Sequence, residues 1–222
     1  MAKRLKVSRK DLLKEQDQFL STSEKAMIYF TDNRSTVIGV IAAIVIVGSS
    51  VLGFNYYKET QTLKNEAFYF EITKISDKAD SSTSDAKAIL EKMGDGPQKD
   101  RASLLLGDMH FQNQEYDKAE KYYSAILSRT SPSDINHQMA KVGLAYSHES
   151  RKDYKKAIEL FKSVVEANTS FPLFEVYWSL AKCHELNNDV SKALLILREM
   201  QMKFSKSPQA DKIEARIKQL SA

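Results

Sequence analysis

The spacing of apolar residues changes twice along the chain. In residues 1–34 they come in short bursts broken by charge. From Ser35 to Tyr57 the sequence STVIGVIAAIVIVGSSVLGFNYY runs for 23 residues without a charged one. From Lys58 onward apolar residues recur three and four apart among dense charges, the period of helices that bury one face. Gly and Pro are few, 7 and 4 in 222 residues, and long Val/Ile/Thr runs are confined to the apolar stretch. The pattern predicts an all-α chain.

The apolar stretch reads as a transmembrane helix. At helical rise, 23 residues span about 35 Å, enough for a hydrocarbon core of about 30 Å. Eleven of them are Val, Ile, Leu or Phe, together contributing about −3 to −6 kcal/mol to insertion. A cleaved signal peptide fits poorly, because the run starts 34 residues in and is too long for a signal core. A buried globular helix fits less well, because no polar face exists to meet water. Ser35, Gly39 and Ala43 fall four apart, a candidate transmembrane packing stripe for a second helix. The alternative is chance, since membrane helices are rich in small residues.

Charge orients the span. Lys3, Arg4, Lys6, Arg9, Lys10, Lys14, Lys25 and Arg34 precede it, whereas the twenty residues after it hold only Lys58, Lys64 and Lys74. The positive-inside rule then puts the N-terminus in the cytoplasm and residues 58–222 across the membrane, with Tyr56 and Tyr57 in the far aromatic belt. In the tail, Ser8-x-x-Asp11 and Ser21-x-x-Glu24 look like capping boxes of two short amphipathic helices. Met27 to Phe30 fit a membrane surface; the alternative, and the favoured reading, is that the tail is a topology signal alone.

The remainder repeats itself. The segment SLLLGDMHFQNQEYDKAEKYYSAIL from Ser103 aligns without gaps with KVGLAYSHESRKDYKKAIELFKSVV from Lys141 and YWSLAKCHELNNDVSKALLILREMQ from Tyr177, at offsets of 38 and 36. Leu106-Gly107, Leu144-Ala145 and Leu180-Ala181 open each copy, and His110, His148 and His184 follow three residues later. After a polar turn come Tyr116, Tyr154 and Val190, then Ala119, Ala157 and Ala193, then Tyr123, Phe161 and Leu197. Two antiparallel helices need small residues where their backbones approach, which Gly107, Ala145 and Ala181 supply on one helix and Ala119, Ala157 and Ala193 on the other. One hairpin cannot bury both faces, so the copies must stack.

These positions resemble the tetratricopeptide family, with helix-turn-helix units of about 34 residues. The resemblance implies a solenoid with repeats at about 100–132, 138–171 and 174–206. A degenerate unit over 60–98 precedes them, and a capping helix at 207–222 carries Ile213, Ile217 and Leu220. It also implies a protein-binding groove on the first helix of each unit. Carried over, the lining residues are Leu104, Asp108 and Phe111; Val142, Tyr146 and Glu149; and Trp178, Lys182 and Glu185. Leu104, Asp108 and Trp178 depart from the Lys/Asn carboxylate clamp of the chaperone-tail type.

Charge and candidate chemistry narrow the function. Residues 58–222 carry 25 Lys/Arg against 24 Asp/Glu, without the basic excess of a nucleic-acid binder. Successive histidines sit about 10 Å apart by helix packing, whereas one zinc needs ligands at about 2 Å. They therefore read as residues of the helix-pair interior. Cys183 and His184 are adjacent on a helix and point apart, and there is no phosphate loop, HExxH or nucleophile elbow. The expectation is a non-enzymatic chain with no metal, cofactor, small-molecule substrate or nucleic-acid partner. A lipoprotein reading needs a lipobox cysteine after a short apolar core, and Cys183 is the only cysteine.

The order of basic tail, one span ending in GFNYY and repeat domain resembles the bacterial inner-membrane family of ancillary subunits of the SecYEG translocon, from about Phe19 to the end. Here AMIYFTDN stands where that family has a Lys/Trp-rich helix, and Gly53-Phe54 gives its Gly-aromatic pair. The resemblance implies a periplasmic domain beside the translocon exit that pairs with a membrane-anchored periplasmic chaperone. The other reading is a scaffold of a cell-envelope assembly such as a pilus, secretion or wall-synthesis machine.

Overall fold

The computed structural model describes residues 22–78, 82–167 and 169–221. The capping box at Ser8 and Asp11, and Ser21 of the other, lie outside them. Ten α-helices and no strand are present among the described residues. The chain divides into two compact units, Met1–Glu59 and Thr60–Ala222.

In the first unit, α1 covers Thr22–Asp32 and exposes Met27, Ile28, Tyr29 and Phe30. Then α2 begins, a helix of 43 residues over Arg34–Ser76. It is the one described helix long and apolar enough to cross a membrane. Ile38, Ile44, Leu52 and Phe54 are all exposed within the chain. Ser49 and Ser50 turn their hydroxyls back onto the Val45 and Ile46 carbonyls, which satisfies both hydroxyls inside an apolar run. Ser35, Gly39 and Ala43 lie along this helix, and a Cβ added at Gly39 meets open space.

The second unit starts with the end of α2. Ile72 is fully buried with Ile89 and Leu90 of α3 (Thr83–Leu90), the following Met93, and Leu106 and Met109 of α4 (Pro97–Gln112). The Asn65 amide pins the turn after α3, donating to the Gly94 carbonyl at 2.9 Å and accepting from the Gly94 N–H at 3.1 Å. That reciprocal pair gives both polar ends of a buried side chain a partner on one backbone unit.

Three hairpins come next. They pair α4 with α5 (Tyr116–Leu127), α6 (Ile135–Ser150) with α7 (Tyr154–Val165), and α8 (Phe174–Leu186) with α9 (Val190–Lys203); α10 (Ala210–Ser221) closes on α9. Each helix packs on the next, and α4 also touches α6. Gly107, Ala119, Ala145, Ala157, Ala181 and Ala193 are all buried at these contacts. Tyr123, Phe161 and Leu197 fill the space between them at 1%, 0% and 1% exposure, each contributing about 1.5–3 kcal/mol of burial.

The turns inside the hairpins are copies of one another. Gln114, Lys152 and Asn188 take φ of 60°, 64° and 61°. In each turn the next residue's N–H donates to the carbonyl of the repeating histidine, Glu115 to His110, Asp153 to His148 and Asp189 to His184, all at 2.9 Å. This is a Schellman ending, with the histidine three residues before the helix cap and the acid just past the left-handed residue.

Candidate protein-binding surface

The residues placed on the groove by their repeat positions meet different fates. Leu104 is not on an open face. It is 5% exposed, in a core with Ala119, Tyr123, Ile126, Ala140 and Leu144, because α6 packs over this part of α4. Asp108 is exposed and accepts a 2.7 Å hydrogen bond from the Tyr123 hydroxyl. Packed helices around its inner edge desolvate the carboxyl and raise its pKa, although the Tyr123 bond pulls the other way. Burial likewise pushes the Tyr123 phenol far up, so it stays a donor. Phe111 packs edge-on to Tyr116, with ring centroids 5.5 Å apart.

In the second hairpin Val142 and Tyr146 are half-buried. Tyr146 packs edge-on to Phe161, and its hydroxyl accepts from Ser179 at 3.2 Å. Glu149 holds the Lys182 ammonium at 2.7 Å, tying the second hairpin to the third, and this contact raises the Lys182 pKa. In the third hairpin α10 covers what the repeat pattern puts in the groove. Lys212 lies 4.1 Å over the Trp178 ring, and Arg216 Nη2 donates to both Glu185 oxygens at 2.6 and 2.5 Å.

Open space therefore remains around Tyr146, between the first and second hairpins and between the second hairpin and the start of α8. One hollow of about 300 Å³ is lined by Asp108, Phe111, Gln112, Tyr123, Gly143 and Tyr146. A second, about 310 Å³, is lined by Val142, Tyr146, Phe171, Phe174, Glu175 and Gln209 among others. Tyr146 belongs to both. Between Trp178, Lys182, Glu185 and Arg216 only about 160 Å³ is left.

Gly143, Phe171, Phe174 and Glu175 are lining residues that repeat positions alone do not pick out. Gly143 has a readable cause. A Cβ there would sit 2.5 Å from the Tyr123 ring, and one at Gly107 2.6 Å from it. Tyr123 is thus clamped between two helices that both lack a side chain at the contact. Phe171 and Phe174 belong to the Phe171-Pro172-Leu173-Phe174 opening of the last unit, whose aromatic content is the available signal.

The histidines belong to the turns. His110 Nδ1 lies 2.6 Å from Glu115 Oε2 and its ring stacks on Tyr122. His148 Nδ1 stands 3.5 Å from Asp153 Oδ2. Asp153 and Asp189 also cap α7 and α9 through the Lys156 and Lys192 N–H groups. Asp153 thus ends a turn, faces a histidine and starts a helix. The spacing of an acid five residues after each histidine is visible in the sequence. Burial lowers the pKa of both His148 and His184. Cys183 is buried in the core, and desolvation pushes its thiol up to about 12, which leaves no thiolate near neutrality. Among the described residues no three His, Cys, Asp or Glu side chains converge to hold a metal ion.

The sequence profile of the tetratricopeptide repeat-like domain matches residues 28–172, and that of the tetratricopeptide repeat matches 142–210. No curated protein matches the chain by sequence. Among solved structures, the nearly identical TPR-like repeats of a kinesin light chain candidate from Podosopora anserina superimpose with a TM-score of 0.54 at 12% identity, covering 73% of this chain and 84% of that one. A single-substitution variant of the same protein gives 0.55 at 13% identity, covering 70% and 84%. At such identity the likeness is one of fold.

Proposed function

Because the chain belongs to the tetratricopeptide repeat-like family, we propose that it is a membrane-tethered, non-enzymatic protein-binding module. The observation that carries this reading is the pair of hollows joined at Tyr146, aromatic at the floor and bearing Asp108 and Glu175 at the rims. That lining suits an extended polypeptide with apolar side chains and a Lys or Arg among them. Asp108, Phe111, Val142 and Tyr146 would contact it.

Two further features support the tether. The family match begins at residue 28, ahead of the apolar stretch, so it takes in the span together with the repeats. The span itself is long and apolar enough to cross a bilayer. With the basic flank inside, the repeats face the periplasm of a bacterial inner membrane, and the partners are the translocon and a membrane-anchored periplasmic chaperone. Tethering raises the effective concentration of such a partner, so a weak groove is still occupied.

Deleting residues 58–222 tests this. The remaining span should still insert, and co-purification of the translocon and chaperone should be lost. Recovery of every partner by the span alone contradicts a binding role for the repeats. Recovery of pilus, secretion or wall-synthesis components by the full chain in place of the translocon transfers the module to an envelope scaffold.

A further inference from the structure

A second surface, opposite in charge to the groove, lies between α3 and α5. It is an open trough of about 610 Å³, edged by Lys87 and Thr83 on α3 and by Lys118 and Lys121 on α5, and floored by His110 and Tyr122. His110 and Tyr122 stack with centroids 5.4 Å apart and planes 16° from parallel. Among the described residues no carboxylate lines the trough itself.

This segregation is built into α5. The acids of that helix turn away, Asp117 and Glu120 both holding Arg151. The lysines of the other face are left undercompensated. Lys118 pairs with Glu115 at 2.7 Å and Lys87 reaches Glu91 at only 3.8 Å, both on exposed side chains. Lys121 has no carboxylate within ion-pair distance among the described residues. The domain as a whole is nearly neutral, so the basic trough reflects placement rather than composition. Thr83 is in the first turn of α3, where the helix dipole adds positive potential.

We propose that this trough binds an acidic polypeptide segment. Its side-chain cations are long, flexible lysines, and no arginine fork stands among the lining residues to grip a tetrahedral phosphate. The stacked rings supply the apolar floor on which a peptide lays side chains between its carboxylates. The site is separate from the groove at Tyr146, and a partner with segments of both charges can engage the two together.

Full-length protein in a non-ionic detergent is titrated with a labelled dodecapeptide that alternates Glu with Leu around a central Phe, and with its Gln-for-Glu counterpart. Fluorescence anisotropy should show saturable binding of the Glu peptide only, weakening with added salt. Lys118→Glu/Lys121→Glu should weaken it at least about tenfold, and Lys121→Glu alone about threefold or more, while Tyr146→Ala changes it by less than about twofold. Unchanged melting temperatures certify the lysine variants, whose sites are exposed, and a retained helical circular dichroism spectrum certifies Tyr146→Ala. Equal binding by the charge-reversed chains, equal binding of the Gln peptide, or binding of inorganic pyrophosphate with none of the Glu peptide would each overturn the proposal.

Discussion

The second hairpin and the third carry matching positions, yet one keeps them open and the other loses them. Val142 and Tyr146 line open hollows, whereas Trp178, which stands in the third hairpin where Val142 stands in the second, lies beneath Lys212. Glu149 is tied to the next repeat through Lys182, and Glu185 to the cap through Arg216. Register within a hairpin decides which residues pack between its helices. The next element along the chain decides whether the hairpin's outer face stays open. At the end of a solenoid that element is a cap, and the cap takes the binding positions for itself.

The clamp on Tyr123 is the place to break the open side. Gly→Ala in a helix normally stabilises by about 1 kcal/mol, but a Cβ at Gly143 or Gly107 strikes a rigid buried ring. Each substitution should cost about 2 kcal/mol net by overpacking, read from urea denaturation of the full chain. Adding Tyr123→Leu to Gly143→Ala should recover part of the loss, which a general intolerance of position 143 would not allow.

On the closed side, Arg216→Ala removes both bonds to Glu185 and should loosen α10 at a cost of about 1 kcal/mol. Trp178 is the only tryptophan, so its emission should shift to the red as Lys212 leaves the ring. Unshifted emission would show that α10 is not what shields it.

Acidity should act on both regions through the turns. His148 and His184 have pKa values lowered by burial, so folding favours their neutral forms. The unfolded chain takes up those protons as pH falls through about 6.5, and stability should decline from there until the folded histidines also protonate. The lowered carboxyls of Asp153, Asp189 and Glu115 add a later loss, as pH drops through their folded values. Urea midpoints at pH 7.5, 6 and 5 should fall in that order, and His148→Gln/His184→Gln should flatten the series.

The smallest effect concerns backbone alone. Gln114 and Lys152 hold left-handed φ without being glycine. Gln114→Gly and Lys152→Gly should each stabilise by about 0.5–1 kcal/mol, and Asn188→Gly by less, since asparagine already tolerates that region.

Much of this architecture is legible in the sequence, and for definite reasons. Small residues at 107, 119, 145, 157, 181 and 193 are forced by close helix contacts, so periodicity finds them. The continuous helix from the span into the repeats follows from the absence of Gly or Pro between Lys58 and Ser76. The groove is less legible, because lining it depends on neighbours outside the repeat. Leu104 looks like a surface position until α6 is laid over it, and Trp178 until α10 is. Gly143 cannot be weighed without knowing that Tyr123 crosses from the preceding hairpin. The histidine turns are half visible: the repeat places the rings in the interior, but only the Schellman geometry brings the partner acid to them.

In the proposed function the open face around Tyr146 grips another polypeptide and the capped face at Trp178 does not. Photo-crosslinking in intact membranes, from a benzoylphenylalanine placed at 146 or at 178 in the full chain, tests it most directly. Adducts are expected from 146 to one identified translocon or chaperone polypeptide, diminished by Asp108→Lys, and none from 178. Adducts from 178 alone, or equal adducts from both that ignore Asp108→Lys, would contradict it.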